Sequence, residues 1–233
     1  MCKTTDLSRT SLSRADVMLI MSTDPELNIG QPSTTEKHDS GGVGFLGRLV
    51  AGPGVSLIVM AVVSLATWTG AQANNVDPFV LQAPLAENWW QLPLSVFSHS
   101  GMPHLTGNAT GVAIFGSIVV LSSSLVRYHL FFILTGIIAG VGQVWATGAL
   151  GRAGAVLGAS GAVMALFAYV ITSNFVSGAV LKRAPWWVVG AFVALTALGL
   201  TLWSAGAQVA NMGHLTGAVL GAVAGYFHFL RAD

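Results

Sequence analysis

The tetrapeptide "HLTG" stands twice in this chain, at His104–Gly107 within "GMPHLTGNATG" and at His214–Gly217 within "NMGHLTGAVLG". Each copy opens a long run dominated by Ala, Val, Leu, Ile and Gly. An ionisable side chain is costly to hold away from water, so two such helix starts call for a reason. The runs that follow them decide the fold class, because length and composition set the solvent they can face.

Of the 233 residues, 53% are hydrophobic and only 8% charged, with a mean hydropathy of +0.70. A soluble domain carries about 25% charged residues, so most of this chain is expected to face lipid or its own interior. The formal net charge of +1 offers neither a basic surface for nucleic acid nor an acidic field. Cys2 is the single cysteine, which rules out an internal disulfide, and no Cys/His spacing reads as a metal site. No metal and no organic cofactor is expected.

About 20 apolar residues cross a hydrocarbon core ~30 Å thick. Runs of that kind fall at roughly 54–72, 103–123, 129–149, 158–176, 186–204 and 208–229, predicting an all-helical, six-span bundle. The polar segment 1–48, with "STDPELNIGQPSTTEKHDSGG", has no apolar face and is expected to be disordered and cytoplasmic. That leaves 49–233 as the membrane domain. "VMLIM" is too short for the core of a signal peptide, and Met18 and Met21 are alternative starts.

With the N-terminus inside, Arg48, Arg127, Lys182, Arg183 and Arg231 fall on the inner side, and Arg152, Asp77 and Glu87 on the outer. The positive-inside rule therefore favours N-in, C-in. Trp68, Trp145 and Trp203 sit at outer span ends and Trp186 and Trp187 at an inner one, as an aromatic belt requires. The loop 73–102 carries Trp89 and Trp90.

In that topology the second, fourth and sixth spans run from outside to inside, so their first turns share one depth. The unusual polar residues stand there: His104 and Asn108, Ser160, and His214, the last roughly 9 Å below its expected helix start. Ionisable residues at such depth face the bundle interior and mark functional sites. Gly213, Gly217, Gly221 and Gly225 make one face of the sixth span nearly flat, and Gly158, Ala159, Gly161 and Ala162 surround Ser160. Small-residue faces let helices approach closely, which would bring Ser160 and His214 within hydrogen-bond reach.

A serine hydroxyl becomes a nucleophile when a base takes its proton, and a helix N-terminus offers unpaired N–H groups to an oxyanion. Asp and Glu are absent from the six runs, so the base would act in a dyad. Taken singly each feature has another reading. "GASG" serves packing as readily as catalysis, a lone intramembrane His can cap a helix, and Asn108 can hold two helices together. His99 can simply order its loop, and His38, His129 and His228 lie at or beyond span ends. The conjunction of four reactive or donor side chains at one depth favours a catalytic site.

These residues resemble the rhomboid family of intramembrane serine proteases. "ENWWQLPLSVFSHSGMPHLTGNATG" is similar to the family's first loop and second span, with H-x4-H-x3-N at His99, His104 and Asn108. "GASG" is similar to its nucleophile motif and "HLTGAVLG" to its sixth span, the likeness covering about 50–230. The resemblance implies Ser160 as nucleophile and His214 as general base. It implies an oxyanion hole from His104, Asn108 and the Ser160 N–H, with His99, Gly158, Gly161, Met164 and Gly217 in support. The loop 73–102 would lie in the outer leaflet as an interfacial loop between the first two spans, and the fifth span would border the lateral way in for a substrate helix.

The implied activity is cleavage of single-pass membrane proteins near the outer face, the partners being those substrates and the lipid bilayer. A bacterial cytoplasmic membrane is the expected location. Two positions depart from the family's habit: Gln91 follows Trp90 where Arg is common, and Met164 stands where Tyr is common. A rhomboid-like protein that binds membrane clients without cutting them is the alternative. A small transporter would instead carry acids or broken helices at the midplane.

Overall fold

The computed structural model describes residues 44–152, 154–173 and 211–232, together with positions 185, 187, 188, 190, 191 and 195. Residues 1–43 and nearly all of the expected fifth span, with Lys182, Arg183, Trp186 and Trp203, lie outside the described residues. In chain order the described elements are α1 (Phe45–Gln72), β1 (Leu81–Gln82), α2 (Gln91–Phe97), α3 (Met102–Ser122), α4 (Leu125–Ala149), β2 (Ala155–Val156), α5 (Ser160–Ser173) and α6 (Asn211–Tyr226). Among them α1, α3 and α4 are long and apolar enough to cross a membrane, and α5 is a shorter apolar helix.

The first helix begins well before the expected 54 and takes in the last residues of the segment expected to be disordered. Pro53 and Gly54 look like a boundary in the sequence. The chain absorbs them in one π turn, Val50–Gly54, and stays helical. A wide turn of this kind accommodates proline where a regular one would break. Gly52 makes the packing possible, since a Cβ there would come 2.6 Å from Val120 Cγ2. His129 contributes from α4, its Nε2 lying 2.8 Å from the Ala51 carbonyl. A carbonyl only accepts, so that nitrogen carries the proton.

Contacts set the helix directions. Gly52 meets Val120, and Ser64 meets His99, so α1 and α3 are antiparallel. Along α3 and α5, His104 lies beside Gly158 and Gly111 beside Val163, advancing together. Along α5 and α6, Gly161 meets Gly217 and Ala165 meets Gly221, again in step. Thus α3, α5 and α6 are parallel, and their starts lie at one end of the bundle. The opposite end gathers arginines. Arg48 Nη1 donates to the Ser123 carbonyl at 3.2 Å, and Arg127 Nη1 to the Arg231 carbonyl at 2.5 Å.

Between α1 and α3 the loop is tied both to itself and to the segment that precedes α5. β1 pairs antiparallel with β2, Leu81 opposite Val156 and Gln82 opposite Ala155. Gln91 is buried and acts as a clasp: its Nε2 donates to the Asp77 carbonyl at 2.8 Å, and its Oε1 accepts from the Gln82 N–H at 3.4 Å. The glutamine that stands where the family it resembles commonly has Arg therefore ties the loop from within. Trp89 and Trp90 stay exposed, packed edge to face at 6.3 Å between ring centres. Exposed indoles suit a lipid–water boundary.

Candidate active site

Gly158 is the pivot of the site. Its φ is +118°, which disfavours any side chain, and a Cβ there would lie 2.6 Å from both Cε1 and Nε2 of His104. The same position is 3.7 Å from Asn108 Nδ2. The backbone ahead of Ser160 thus rests directly on two polar side chains of α3, His104 and Asn108. The Gly158 N–H donates to the Ser95 carbonyl at 2.8 Å, which locks the turn to the end of α2.

Two residues later α5 begins. Its first internal bond runs from the Val163 N–H to the Ala159 carbonyl at 2.9 Å. The Ser160 N–H precedes that bond, so it has no partner within the helix. Its donor, the positive end of the helix dipole and the hydroxyl of a half-buried Ser160 share one place. Pro103 opens α3 in the same manner, at a position where a missing N–H costs nothing.

His104 is oriented through its other nitrogen. Nδ1 lies 3.2 Å from Ser100 Oγ. With that hydroxyl donating, the ring proton sits on Nε2, the atom beside Gly158. Asn108 Nδ2 bonds back to the His104 carbonyl at 3.2 Å, which leaves its second hydrogen for a ligand.

Behind His104 lies His99, fully buried. The two rings meet edge to face at 5.0 Å. Nδ1 of His99 is 2.9 Å from Ser64 Oγ and 3.1 Å from the Phe97 carbonyl, so in the neutral ring Nδ1 holds the proton. Trp68 Nε1 donates to the His99 carbonyl at 2.7 Å. His99 therefore fastens the loop to α1 and forms the wall behind His104. Burial, and next the nearby charge of His104, push its pKa down to about 4, against the opposing pull of the Phe97 carbonyl.

The sign follows directly. An unfolded His99 titrates near ~6.5, so between there and about 4 the unfolded chain binds the extra proton. Stability is full above that window and falls as pH drops through it. The melting temperature should decline between those limits, and His99→Gln should flatten the decline. An unchanged slope in that variant would assign the acid loss to other groups.

The partner helix approaches without side chains in the way. A Cβ on Gly217 would strike the Gly161 carbonyl, and one on Gly221 the Ala165 carbonyl. Gly161 in turn sits on Ala139, with the Gly213 carbonyl 3.6 Å from its Cβ position. Ser160 precedes Gly161 and His214 follows Gly213, so both flank the point where the two backbones touch. His214 is buried. Met164, one turn beyond Ser160, packs with Ala168, Ala218 and Ala222.

The two "HLTG" copies share one local device and part at their glycines. In both, the threonine hydroxyl donates to the carbonyl four residues back, at 2.9 Å from Thr106 and 2.7 Å from Thr216. Gly107 has open space where Gly217 has the α5 backbone.

Several contacts around the site escaped the sequence reading. Ser64 and Trp68 are four apart on α1 and face the loop together, a pairing their spacing permits but does not announce. Ser95 acts through its backbone carbonyl, for which no sequence signal exists. Gln143, a lone amide in the apolar run of α4, accepts the Gly213 N–H at 3.0 Å. Its polarity within "IIAGVGQVWATG" was the available signal. Asp77 and Glu87 are exposed on the loop.

The family model for the Rhomboid domain matches residues 86–231, more than half of the chain. No curated protein matches it.

Proposed function

The chain belongs to the rhomboid family, and from that premise we propose that it is an intramembrane serine endopeptidase acting by a Ser160–His214 dyad. It is an integral membrane protein. Its substrates are single-pass membrane proteins, cut near the outer rim of the transmembrane segment. In the six-span, N-in, C-in arrangement, the end that gathers Arg48, Arg127 and Arg231 faces the cytoplasm. The starts of α3, α5 and α6 then face outward, where water can reach Ser160.

The chemistry runs through side chains already placed. Ser160 Oγ attacks the scissile carbonyl carbon while its proton passes to the neutral His214 imidazole. The carbonyl oxygen becomes an oxyanion, met by the Ser160 N–H, by Nε2–H of His104 and by the amide of Asn108. Collapse breaks the C–N bond, the amine leaves with the proton from His214, and an acyl-serine remains. Water, deprotonated by the same imidazole, releases the acid and restores Ser160. Asp and Glu take no part, and neither does a metal or a cofactor.

The observation that carries this activity is the seating of His104 against Gly158, two residues before Ser160, next to the glycine crossing that brings α6 alongside. A client-binding role without cleavage has one position in its favour: Met164, which braces a histidine less firmly than a tyrosine would. The test is a purified single-span reporter with a helix weakened by small residues. Wild-type protein should cut it once, near the outer end of its span, and Ser160→Ala should leave it whole. Stable capture of an intact reporter by the wild type would favour client binding.

A further inference from the structure

We propose that Gln143 is a positioning residue for the catalytic base, a hydrogen-bond acceptor supplied across the bundle to the helix that carries His214; this rests on the dyad reading above. A backbone N–H away from water needs an acceptor, and a side chain from a neighbouring helix can supply it. Gly213, on α6 next to His214, donates its N–H to Gln143 Oε1 at 3.0 Å. The acceptor comes from α4, seventy residues earlier in the chain. The next residue back reinforces the contact, since a Cβ on Gly142 would lie 3.0 Å from Thr216 Oγ1. Contacts from α4 therefore fall on both sides of His214, at Gly213 and at Thr216.

The other side of the same turn rests on α5, with Gly213 near Gly161 and Gly217 on the Gly161 carbonyl. These glycine contacts are flat and fix how close α6 lies. They do little to stop it sliding along its axis, because a surface without side chains has few interlocking ridges. A hydrogen bond of defined length supplies what the flat face lacks. It sets the height of Gly213, and so of the neighbouring His214, relative to the bundle. A displacement of about 1 Å at a reacting group costs up to ~100-fold in rate, so one amide at this point can govern turnover without touching substrate.

Three substitutions separate this role from simple packing. Gln143→Met keeps the length and removes the acceptor. Gln143→Asn keeps the amide but is one methylene too short to reach. Gln143→Glu keeps both length and acceptor oxygen. Met and Asn should lower kcat by roughly 10- to 100-fold with KM nearly unchanged, while Glu should keep most of the rate. Amide hydrogen exchange at Gly213 gives a second readout that does not require activity. It should speed up by about tenfold in the Met and Asn variants, as expected for one lost hydrogen bond.

Wild-type kcat in folded Gln143→Met and Gln143→Asn would overturn the positioning role and leave the protease intact. Unchanged Gly213 exchange in either folded variant would overturn it as well. Faster exchange in a protein whose wild type cuts nothing would sink the protease while leaving the Gln143–Gly213 bond in place, so the two failures are told apart. If Met prevents folding, Asn carries the comparison with Glu.

Discussion

Ser160→Ala and His214→Ala should each lower turnover by roughly 10^4-fold or more, and the double variant should be no worse than either alone. Residues that act as a unit lose most of their effect when one member goes. In the proposed mechanism Ser160 supplies the bond-forming oxygen, and without it no acyl-enzyme can form. In the same proposal His214 supplies the base, and an unassisted hydroxyl is a weak nucleophile at neutral pH. Neither change should unfold the protein. Ser160 is half-buried at a helix start, and the crossing beside it is made by Gly161, Gly213 and Gly217, which both variants keep. Steady-state cleavage of the reporter, with thermal melting as a control, measures the effect. Additive losses in the double variant would mean that the two side chains work independently.

Asn108→Ala should cost about 100-fold in turnover while leaving substrate affinity nearly unchanged, the usual price of one oxyanion donor. The interaction strengthens as charge develops on the carbonyl oxygen, so it appears in kcat rather than in ground-state binding. The geometry makes this variant interpretable. Asn108 spends one amide hydrogen on the His104 carbonyl at 3.2 Å, a bond within a helix already held by its own backbone. Losing it leaves His104 where Ser100 and Gly158 hold it. A raised KM with unchanged kcat would make Asn108 a binding or packing residue.

Much of the candidate site's arrangement was legible in the sequence because long apolar runs leave few polar residues to choose from. His104, Asn108, Ser160 and His214 stood out against apolar runs, and co-directional spans were enough to set three of their helices starting at one end. The glycine repeat of α6 foretold its crossing with α5, since only missing side chains allow such an approach.

What stayed hidden was carried by backbone or by lone neutral groups. The helical passage through Pro53 depends on a π turn and on Gly52 yielding space to Val120, neither of which a proline–glycine pair reveals. Strands β1 and β2 are two residues each, too short for any alternation to register. Gln91 and Gln143 carry no charge, so each could have been solvated or idle, and only three-dimensional placement shows Gln91 clasping the loop and Gln143 meeting Gly213.

The central claim is that Ser160 is activated by His214, and a fluorophosphonate reads it most directly. Reaction requires a serine whose proton is being accepted, and it needs no knowledge of the natural substrate. In detergent the wild-type protein should label stoichiometrically at Ser160, with labelling abolished in Ser160→Ala and strongly reduced in His214→Ala. Folded wild-type protein that takes up no label at Ser160, or a His214→Ala variant that labels as fast as wild type, would contradict the account.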